Sequence, residues 1–262
     1  MRPAQAPGDG LAPWCLLRRK TVHRLSDWLN KMTTNPPALA VSVIIPARNE
    51  AENLSSLLQT PALADFAEII VVDNGSSDDT PHIVAANPGV VLARSAPGRG
   101  LAMNAGAAVS KGDVLFFLHA DSRLPAQAQA AIRTALSDAH VIAGCFRLAF
   151  DRSSAALSFS AWMTRFDTRV TTFGDQGYFI RRSAFEQLSG FAPWPILEDV
   201  DMRRRLQRLG VFRKLDLAIT ISARRFARHG PLRQQLRNCL ILSLYQLGVS
   251  PHRLARLYRP HA

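Results

Sequence analysis

The chain has 262 residues, 47% of them hydrophobic, which is enough for one substantial core and excludes a small scaffold stapled by disulfides. Its three cysteines lie far apart, with no CxxC pair and no histidine cluster at zinc-ligand spacing, so a structural zinc site is not expected and a reducing compartment is the simplest setting. The formal net charge is +12, and residues 202–262 hold 14 Arg and Lys against one acid.

Residues 1–40 are predicted to be a basic, disordered tail. The apolar stretch at 14–17 is too short for the core of a signal peptide. Met32, just before the first predicted strand, is an alternative start of the chain. No apolar run approaches the roughly 18 to 20 residues that span a bilayer, so an integral membrane protein is not expected.

The fold class predicted from the remaining sequence is α/β, with a mixed, mainly parallel sheet flanked by helices. Nearly continuous apolar runs predict strands buried on both faces at 41–45, 68–72, 89–93 and 113–118. Helices alternate with them at 50–59, 78–86, capped by Ser77 or Asp78, and 100–110, giving βαβ units. Further along, the pattern predicts helices at 125–137, 198–209 and 231–247 and strands at 142–150, 177–181, 212–215 and 218–221. Residues 41–225 would form the main domain and 226–262 a C-terminal extension of basic amphipathic helices packed on it.

Polar residues follow three of the predicted strands, at the edge where doubly wound sheets bind ligands. These segments read Pro46-Ala-Arg-Asn-Glu50, Asp73-Asn-Gly-Ser-Ser-Asp78 and His119-Ala-Asp-Ser122. Asp73 can accept hydrogen bonds from a base or ribose, and Gly75 lets the backbone approach a ligand, although an ordinary turn and cap would look the same. Asp121 stands where a Mg²⁺ or Mn²⁺ ion bridging two phosphates needs an oxygen ligand, a position also common for loop caps.

Two charged segments complete the candidate site. Arg99 lies in a glycine-flanked turn at a predicted helix N-terminus, where its guanidinium and nearby N–H groups could face a pyrophosphate. Glu198-Asp-Val-Asp201 begins another helix, where acids are stabilised by the helix dipole whatever their function.

The order and spacing of these motifs resemble glycosyltransferase family 2. Pro46-Ala-Arg-Asn-Glu50 is similar to its P-x-x-N-E, Val72-Asp-Asn-Gly-Ser76 to its V-D-x-G-S, and Glu198-Asp-Val-Asp-Met202 to its E-D-x-D-L. The resemblance implies a GT-A, Rossmann-like fold. It also implies an inverting, metal-dependent transfer of sugar from a nucleotide-diphosphate donor, by family a UDP-sugar, to an acceptor hydroxyl, on a small molecule or a lipid-linked one.

The resemblance also implies roles for individual residues. The nucleotide pocket would be lined by Pro46, Ala47, Asn49, Glu50, Asp73, Gly75, Arg99 and His119. Asp121 would hold the divalent metal, Mn²⁺ or Mg²⁺, and Asp199 would be the general base, with Glu198 and Asp201 as lesser candidates. Residues Gly174, Asp175, Gln176 and Gly177 would form a loop against the donor sugar or acceptor.

One departure from the family pattern is His119, which stands where the first Asp of D-x-D is usual. This puts the metal or ribose contact at that position in doubt. The phrases Leu118-His-Ala-Asp121 and Gly174-Asp-Gln-Gly177 look like a bacterial branch often labelled arsenosugar-biosynthesis glycosyltransferases, a label that reports ancestry more than substrate.

Two other functions compete with this interpretation. A nucleotidyltransferase on a related core would usually carry a glycine-rich basic loop after the first strand, where Pro46-Ala-Arg-Asn-Glu50 stands instead. The alternative that the chain is a basic, non-enzymatic protein that binds nucleic acid is supported by its charge alone, without any recognised motif. Nucleic acid is therefore not an expected partner.

The predicted helix at 231–247 carries Arg233 and Arg237 beside a stripe of leucines, which are Leu236, Leu240, Leu244 and Leu247. Packing of this stripe on the domain is the commoner arrangement for such a helix. The alternative is peripheral attachment to a membrane, with arginines at the headgroups. The predicted location is the cytoplasm, with peripheral contact at the inner face of the membrane under that alternative.

Overall fold

The computed structural model describes residues 39–168, 171–223 and 231–257, with side chains in the last range from 236 onward. The predicted tail, apart from residues 39–40, and the alternative start Met32 lie outside the described residues, as does the side chain of Arg233. Among the helices of these ranges, none is both long enough and apolar enough to cross a bilayer.

Eight strands of the described residues form one sheet, with the spatial order β3-β2-β1-β4-β7-β6-β8-β5. In chain order they are β1 (Val41–Ala47), β2 (Glu68–Asp73), β3 (Val90–Arg94), β4 (Val114–Phe117), β5 (Ser122–Arg123), β6 (Val141–Phe150), β7 (Tyr178–Arg181) and β8 (Val211–Ile221). Strands β3, β2, β1 and β4 are parallel, β7 is antiparallel to both of its neighbours, and β6 and β8 are parallel to each other. The sheet is therefore mixed and mainly parallel, and it confirms the predicted fold class.

Helices cover both faces of this sheet. In chain order they are α1 (Ala51–Leu58), α2 (Thr80–Ala85), α3 (Arg99–Val109), α4 (Ala128–Leu136), α5 (Ala155–Met163), α6 (Arg182–Gln187), α7 (Glu198–Leu209), α8 (Pro231–Gln246) and α9 (Pro251–Leu257), with 3₁₀ turns at Pro61–Leu63 and Gly174–Gln176. One apolar cluster joins the sheet to α1, α2 and α4, and the other joins it to α3, α6 and α7. Successive residues of β1 alternate between the clusters, because strand side chains point to opposite faces: Val43 and Ile45 lie in the first, Ile44 in the second.

Most predicted elements are confirmed within two or three residues, and the exceptions have physical reasons. The helix predicted at 78–86 begins at Thr80. The side chain of Asp78 still accepts a hydrogen bond from the Thr80 N–H at 3.0 Å. The third strand is an edge strand with Val91 exposed, so its predicted burial on both faces was wrong. The two strands predicted at 212–215 and 218–221 are one strand, β8, whose register against β6 shifts opposite Cys145 and Arg147.

Helix α5 lies in a segment for which the sequence pattern predicted no helix. Of its nine residues only Leu157 is buried, so it lacks the apolar stripe that marks a core-facing helix. Its start is nevertheless capped, since the Ser154 hydroxyl accepts from the Leu157 N–H at 3.3 Å.

The leucine stripe of α8 does not pack as predicted. Leu236, Leu240 and Leu247 are exposed. Ile241 and Leu242, which lie on another face of the helix, are buried. The helix contacts the domain through that other face, where the Tyr245 ring lies 6.2 Å from Trp194. The predicted packing of Leu236, Leu240 and Leu247 was therefore wrong, and an apolar face points outward.

The close approach of the paired strands β6 and β8 at Gly144 gives a test of the sheet. A Cβ at Gly144 would overlap the Arg213 carbonyl oxygen and the Phe179 ring. The carbonyl oxygen is part of the β8 backbone and cannot move aside as a flexible side chain could. We expect Gly144→Ala to lower the free energy of unfolding by about 3 kcal/mol, measured by urea denaturation. Ser153→Thr adds the same methyl group at an exposed position and should change little. Equal effects of the two substitutions would contradict the close approach of β6 and β8 at Gly144.

Candidate active site

Three loops at the carboxyl edge of the parallel strands are tied together by hydrogen bonds. The N–H of Asn74, after β2, donates to the Ala47 carbonyl at 2.9 Å. Asn49 accepts at its side-chain oxygen from the Ser77 N–H at 2.8 Å. The Gly98 N–H, after β3, donates to the Asn74 side chain at 3.1 Å. The loop ends therefore form one connected rim.

Residues predicted to contact nucleotide also shape this rim. Asn49 adopts a left-handed backbone conformation, with φ of 54°, and its N–H donates to the Ser76 hydroxyl at 3.0 Å. Asp73 is buried and accepts from the Ser76 N–H at 3.0 Å. Gly75 has φ of 84°, which lets the turn between them close. The polar strand ends thus serve the loop conformation whatever else they bind.

Glu50 has a similar local role at the start of α1. Its N–H donates to the Thr80 hydroxyl at 3.0 Å, and its carboxylate accepts from the Asn53 side chain at 2.6 Å. The first bond joins the beginnings of α1 and α2 beside the rim, and the second lies within the first turn of α1.

An ion cluster stands at the centre of the edge. Arg99, at the start of α3, donates through Nε to Glu198, and its Nη2 lies 3.4 Å from an oxygen of Asp199. Its Nη1 lies 3.4 Å from Nε2 of His119. Burial alone would lower the pKa of Arg99, but the charges of Glu198 and Asp199 outweigh it and raise the pKa above its usual value. The guanidinium thus stays charged and holds α3, α7 and the end of β4 together.

The orientation of Asp199 has two further causes. Leu197, directly before α7, has φ of 66°, a strained conformation for this residue type, and the turn buries both acids that follow it. The Gly174 N–H donates to Asp199 Oδ2 at 2.6 Å. A Cβ at position 174 would lie 2.9 Å from that of Asp199, so only glycine allows this approach.

A small cleft opens beside this cluster and brings together five of the predicted site residues. They are Pro46, Arg99, His119, Gly174 and Asp199. Its remaining walls are apolar or aromatic: Met103, Phe117, Leu118, Tyr178 and Phe191. Other predicted residues do not line it: Ala47, Asn49, Glu50, Asp73, Gly75, Asp121, Asp175, Gln176, Gly177 and Glu198.

Sequence patterns missed the aromatic walls and the network behind the Gly174 turn. Gln176 is fully buried, donates to the Thr171 carbonyl at 2.6 Å and accepts from the Cys145 thiol at 3.4 Å. Buried Arg203, four residues after Asp199 on α7, pairs with Asp167 at 2.7 Å. Sequence spacing signals only the neighbouring pair on α7, in which Arg205 lies 2.6 Å from Asp201 four residues earlier, because the partner of Arg203 is distant in the chain.

A divalent metal could be held here only with help from a ligand. Among the described residues no three His, Cys, Asp or Glu side chains converge as a metal cage. Asp121 is half-buried, two residues beyond His119 at the end of β4. A Mg²⁺-type ion is commonly bound by one or two carboxylates together with substrate phosphates, and Asp121 fits that arrangement.

Comparison with known proteins gives a consistent picture of ancestry. Residues 42–188 match the family described as Glycosyl transferase family 2. Over 123 residues the chain is 30% identical to glucosyl-3-phosphoglycerate synthase of Mycobacterium tuberculosis, covering 43% of this chain and 38% of that protein. Over 169 residues it is 30% identical to undecaprenyl-phosphate 4-deoxy-4-formamido-L-arabinose transferase of Klebsiella pneumoniae, covering 57% of this chain and 50% of the relative. The chain thus spans half or less of the length of these curated relatives.

A solved structure supports the fold. The crystal structure of the Mycobacterium tuberculosis glucosyl-3-phosphoglycerate synthase, in complex with Mn²⁺, UDP and glucosyl-3-phosphoglycerate, superposes with a TM-score of 0.54 at 20% identity. The superposition covers 78% of this chain and 80% of that one. At this identity the likeness shows the fold, which is GT-A.

The buried network predicts contrasting thiol chemistry. Burial raises the pKa of Cys145 to about 12, so this thiol stays protonated and shielded at ordinary pH. Cys239, on α8, is exposed. We expect iodoacetamide to modify Cys239 at pH 9 in the folded protein and Cys145 only after unfolding, as read by peptide mass spectrometry. Modification of both at the same rate in the folded protein would contradict the packing around Gln176.

Proposed function

Because the chain belongs to glycosyl transferase family 2, we propose that it transfers a sugar from a UDP-sugar to an acceptor hydroxyl with inversion at the anomeric carbon. The observation that carries the proposal is the position of Asp199, whose carboxylate lines the cleft beside Arg99 and is aimed by the Gly174 N–H. The arrangement supplies both charges that the reaction needs, a cation for the leaving phosphate and a base for the acceptor.

Asp199 is the proposed general base. It would take the acceptor proton as the oxygen attacks C1 from the side opposite the leaving group. Its two rivals are more closely paired: Glu198 takes the hydrogen bond from Arg99 Nε and Asp201 lies 2.6 Å from Arg205 Nε, whereas Asp199 lies 3.4 Å from Arg99 Nη2. Among these three acids, Asp199 alone is part of the cleft wall.

The donor diphosphate is the proposed partner of Arg99, His119 and Asp121. Arg99 lines the cleft and its side chain is 37% exposed, so incoming phosphate oxygens can reach it. Asp121 would hold Mn²⁺ or Mg²⁺, which when bound neutralises charge on the leaving diphosphate. The similar synthase from Mycobacterium tuberculosis is described in complex with Mn²⁺ and UDP, which supports this choice of nucleotide and metal.

The phosphates would also change what Arg99 does for the base. Without donor, its Nη2 lies 3.4 Å from an oxygen of Asp199. If the guanidinium turns toward the diphosphate, Asp199 keeps its orientation through the Gly174 N–H. Donor binding would then leave the other Asp199 oxygen available to the acceptor hydroxyl.

The remaining parts of the proposal concern the location of the protein, the acceptor and the residues around the donor. The proposed location is the cytoplasm, and the acceptor is a small molecule or a lipid-linked one. The residues proposed to surround the nucleoside are Pro46, Ala47, Asn49, Glu50, Asp73 and Gly75. The turn of Gly174, Asp175, Gln176 and Gly177 would face the donor sugar or acceptor. Membership of the arsenosugar-labelled branch rests on the Leu118-His-Ala-Asp121 phrase.

Replacing the base separates catalysis from donor binding. Asp199→Asn keeps an oxygen for the Gly174 N–H but removes the proton acceptor, so we expect kcat to fall by ~10²–10⁴-fold with UDP affinity nearly unchanged. The readout is hydrolysis or transfer of a UDP-sugar. Asp201→Asn on the same helix is the matched control and should lose far less. Equal losses in the two variants would contradict the assignment.

Nucleotide binding is tested by calorimetric titration with UDP and GDP, each with and without Mn²⁺. We expect UDP binding that depends on the metal and is at least tenfold weaker in Asp121→Ala, because one carboxylate of the shared metal site is lost. Asp65→Ala, which removes an exposed carboxylate elsewhere, should bind as wild type does. Metal-independent binding that survives Asp121→Ala would remove the metal from the proposal.

A further inference from the structure

Exposed large apolar side chains are concentrated on one group of helices. Seven of the eleven in the described residues lie on or just beyond α5, α8 and α9, and these are Phe159, Trp162, Phe166, Leu236, Leu240, Leu247 and Leu257. Helix α8 contacts both α5 and α9. We call these three helices with Phe166 the apolar platform. Such a concentration marks an interaction surface.

The aromatic part of the platform is ordered by its own contacts. The Trp162 ring stacks on Phe159 at 5.9 Å and meets Phe166 edge-on at 5.1 Å. The Arg165 guanidinium lies 5.4 Å from the Trp162 ring centre. An amphipathic Trp ring beside arginine is typical of the boundary between headgroups and acyl chains.

The leucine part lies on the outward face of α8. Leu236, Leu240 and Leu247 follow one another at helical spacing and are exposed, Leu247 by 81%. Cys239 stands between the first two on the same face and is also exposed. The stripe therefore offers a continuous apolar strip along a surface helix.

The charge of this region indicates what kind of partner binds the apolar platform. From Leu217 to Ala262 the sequence contains eight Arg and no Lys, Asp or Glu. Of the two acids that flank α5, Asp167 is paired with Arg203, whereas Asp151 accepts from the Ala223 N–H and keeps its charge. A second copy of the chain would bring the same positive charge, whereas an anionic lipid surface complements it.

We propose that the apolar platform docks the protein on an anionic lipid bilayer, with Trp162, Phe159 and the α8 leucines in the interface and the exposed arginines Arg165, Arg253 and Arg256 at the headgroups. Docking of this kind needs no spanning helix, because apolar burial and electrostatic attraction act together. The proposal does not depend on the catalytic roles given above.

The first test is flotation of the full chain with vesicles of phosphatidylcholine alone or of an equimolar mixture with phosphatidylglycerol. We expect binding to the mixture, loss of that binding at high salt, and little binding to phosphatidylcholine. Each of Leu236→Gln and Leu240→Gln should weaken the partition coefficient about tenfold. Val109→Gln, at an exposed apolar residue on α3 outside the platform, should leave it unchanged.

The native thiol of Cys239 gives a site-specific second readout that needs no substitution. Anionic vesicles should slow its alkylation, measured by peptide mass spectrometry, and phosphatidylcholine vesicles should not. Circular dichroism establishes that each variant is folded. Binding unaffected by both leucine substitutions, alkylation of Cys239 at the same rate with anionic vesicles, or a dimer that Leu236→Gln dissociates would overturn the proposal.

Discussion

The ion cluster of Arg99, Glu198 and Asp199 is the interaction on which the rest of the site depends. It joins the first residue of α3 to the first turn of α7, two helices from opposite halves of the sequence. Glu198 is 2% exposed, so without the guanidinium its charge would be buried and unpaired, a condition that costs several kcal/mol in proteins. Because Arg99 also lines the cleft, stability and the proposed recognition of the donor would depend on one side chain.

The polar residues at this edge of the sheet divide into two groups. Asn49, Asp73 and Glu50 are bonded to the neighbouring loops and helix starts, so their first effect is to fix the rim. Arg99, His119 and Asp199 converge on the cleft. Fixing the rim with local hydrogen bonds leaves the cleft residues preorganised for a ligand, which is how such sites stabilise developing charge.

The sequence allowed much of the sheet to be predicted, because buried strands such as β1 and β4 carry short apolar runs, rich in β-branched or aromatic residues and bounded by turn residues. It did not reveal α5, whose outward aromatics give no core-facing stripe, or the antiparallel pairing of β7, which depends on contacts distant in sequence. The cleft residues after strands were found from topology alone. The aromatic walls Tyr178 and Phe191 were not, since a buried aromatic in a strand or loop looks the same whether it packs or lines a site.

A crystal structure of the protein with UDP and Mn²⁺ bound would show directly whether Arg99 serves both the acids and the donor. We expect the Arg99 guanidinium to contact the diphosphate and to have moved away from Asp199, while Asp199 keeps its hydrogen bond from the Gly174 N–H and faces the open side of the cleft. A complex in which Arg99 still pairs with Asp199 and the diphosphate lies elsewhere would contradict it, because one side chain would then not serve both the acids and the donor.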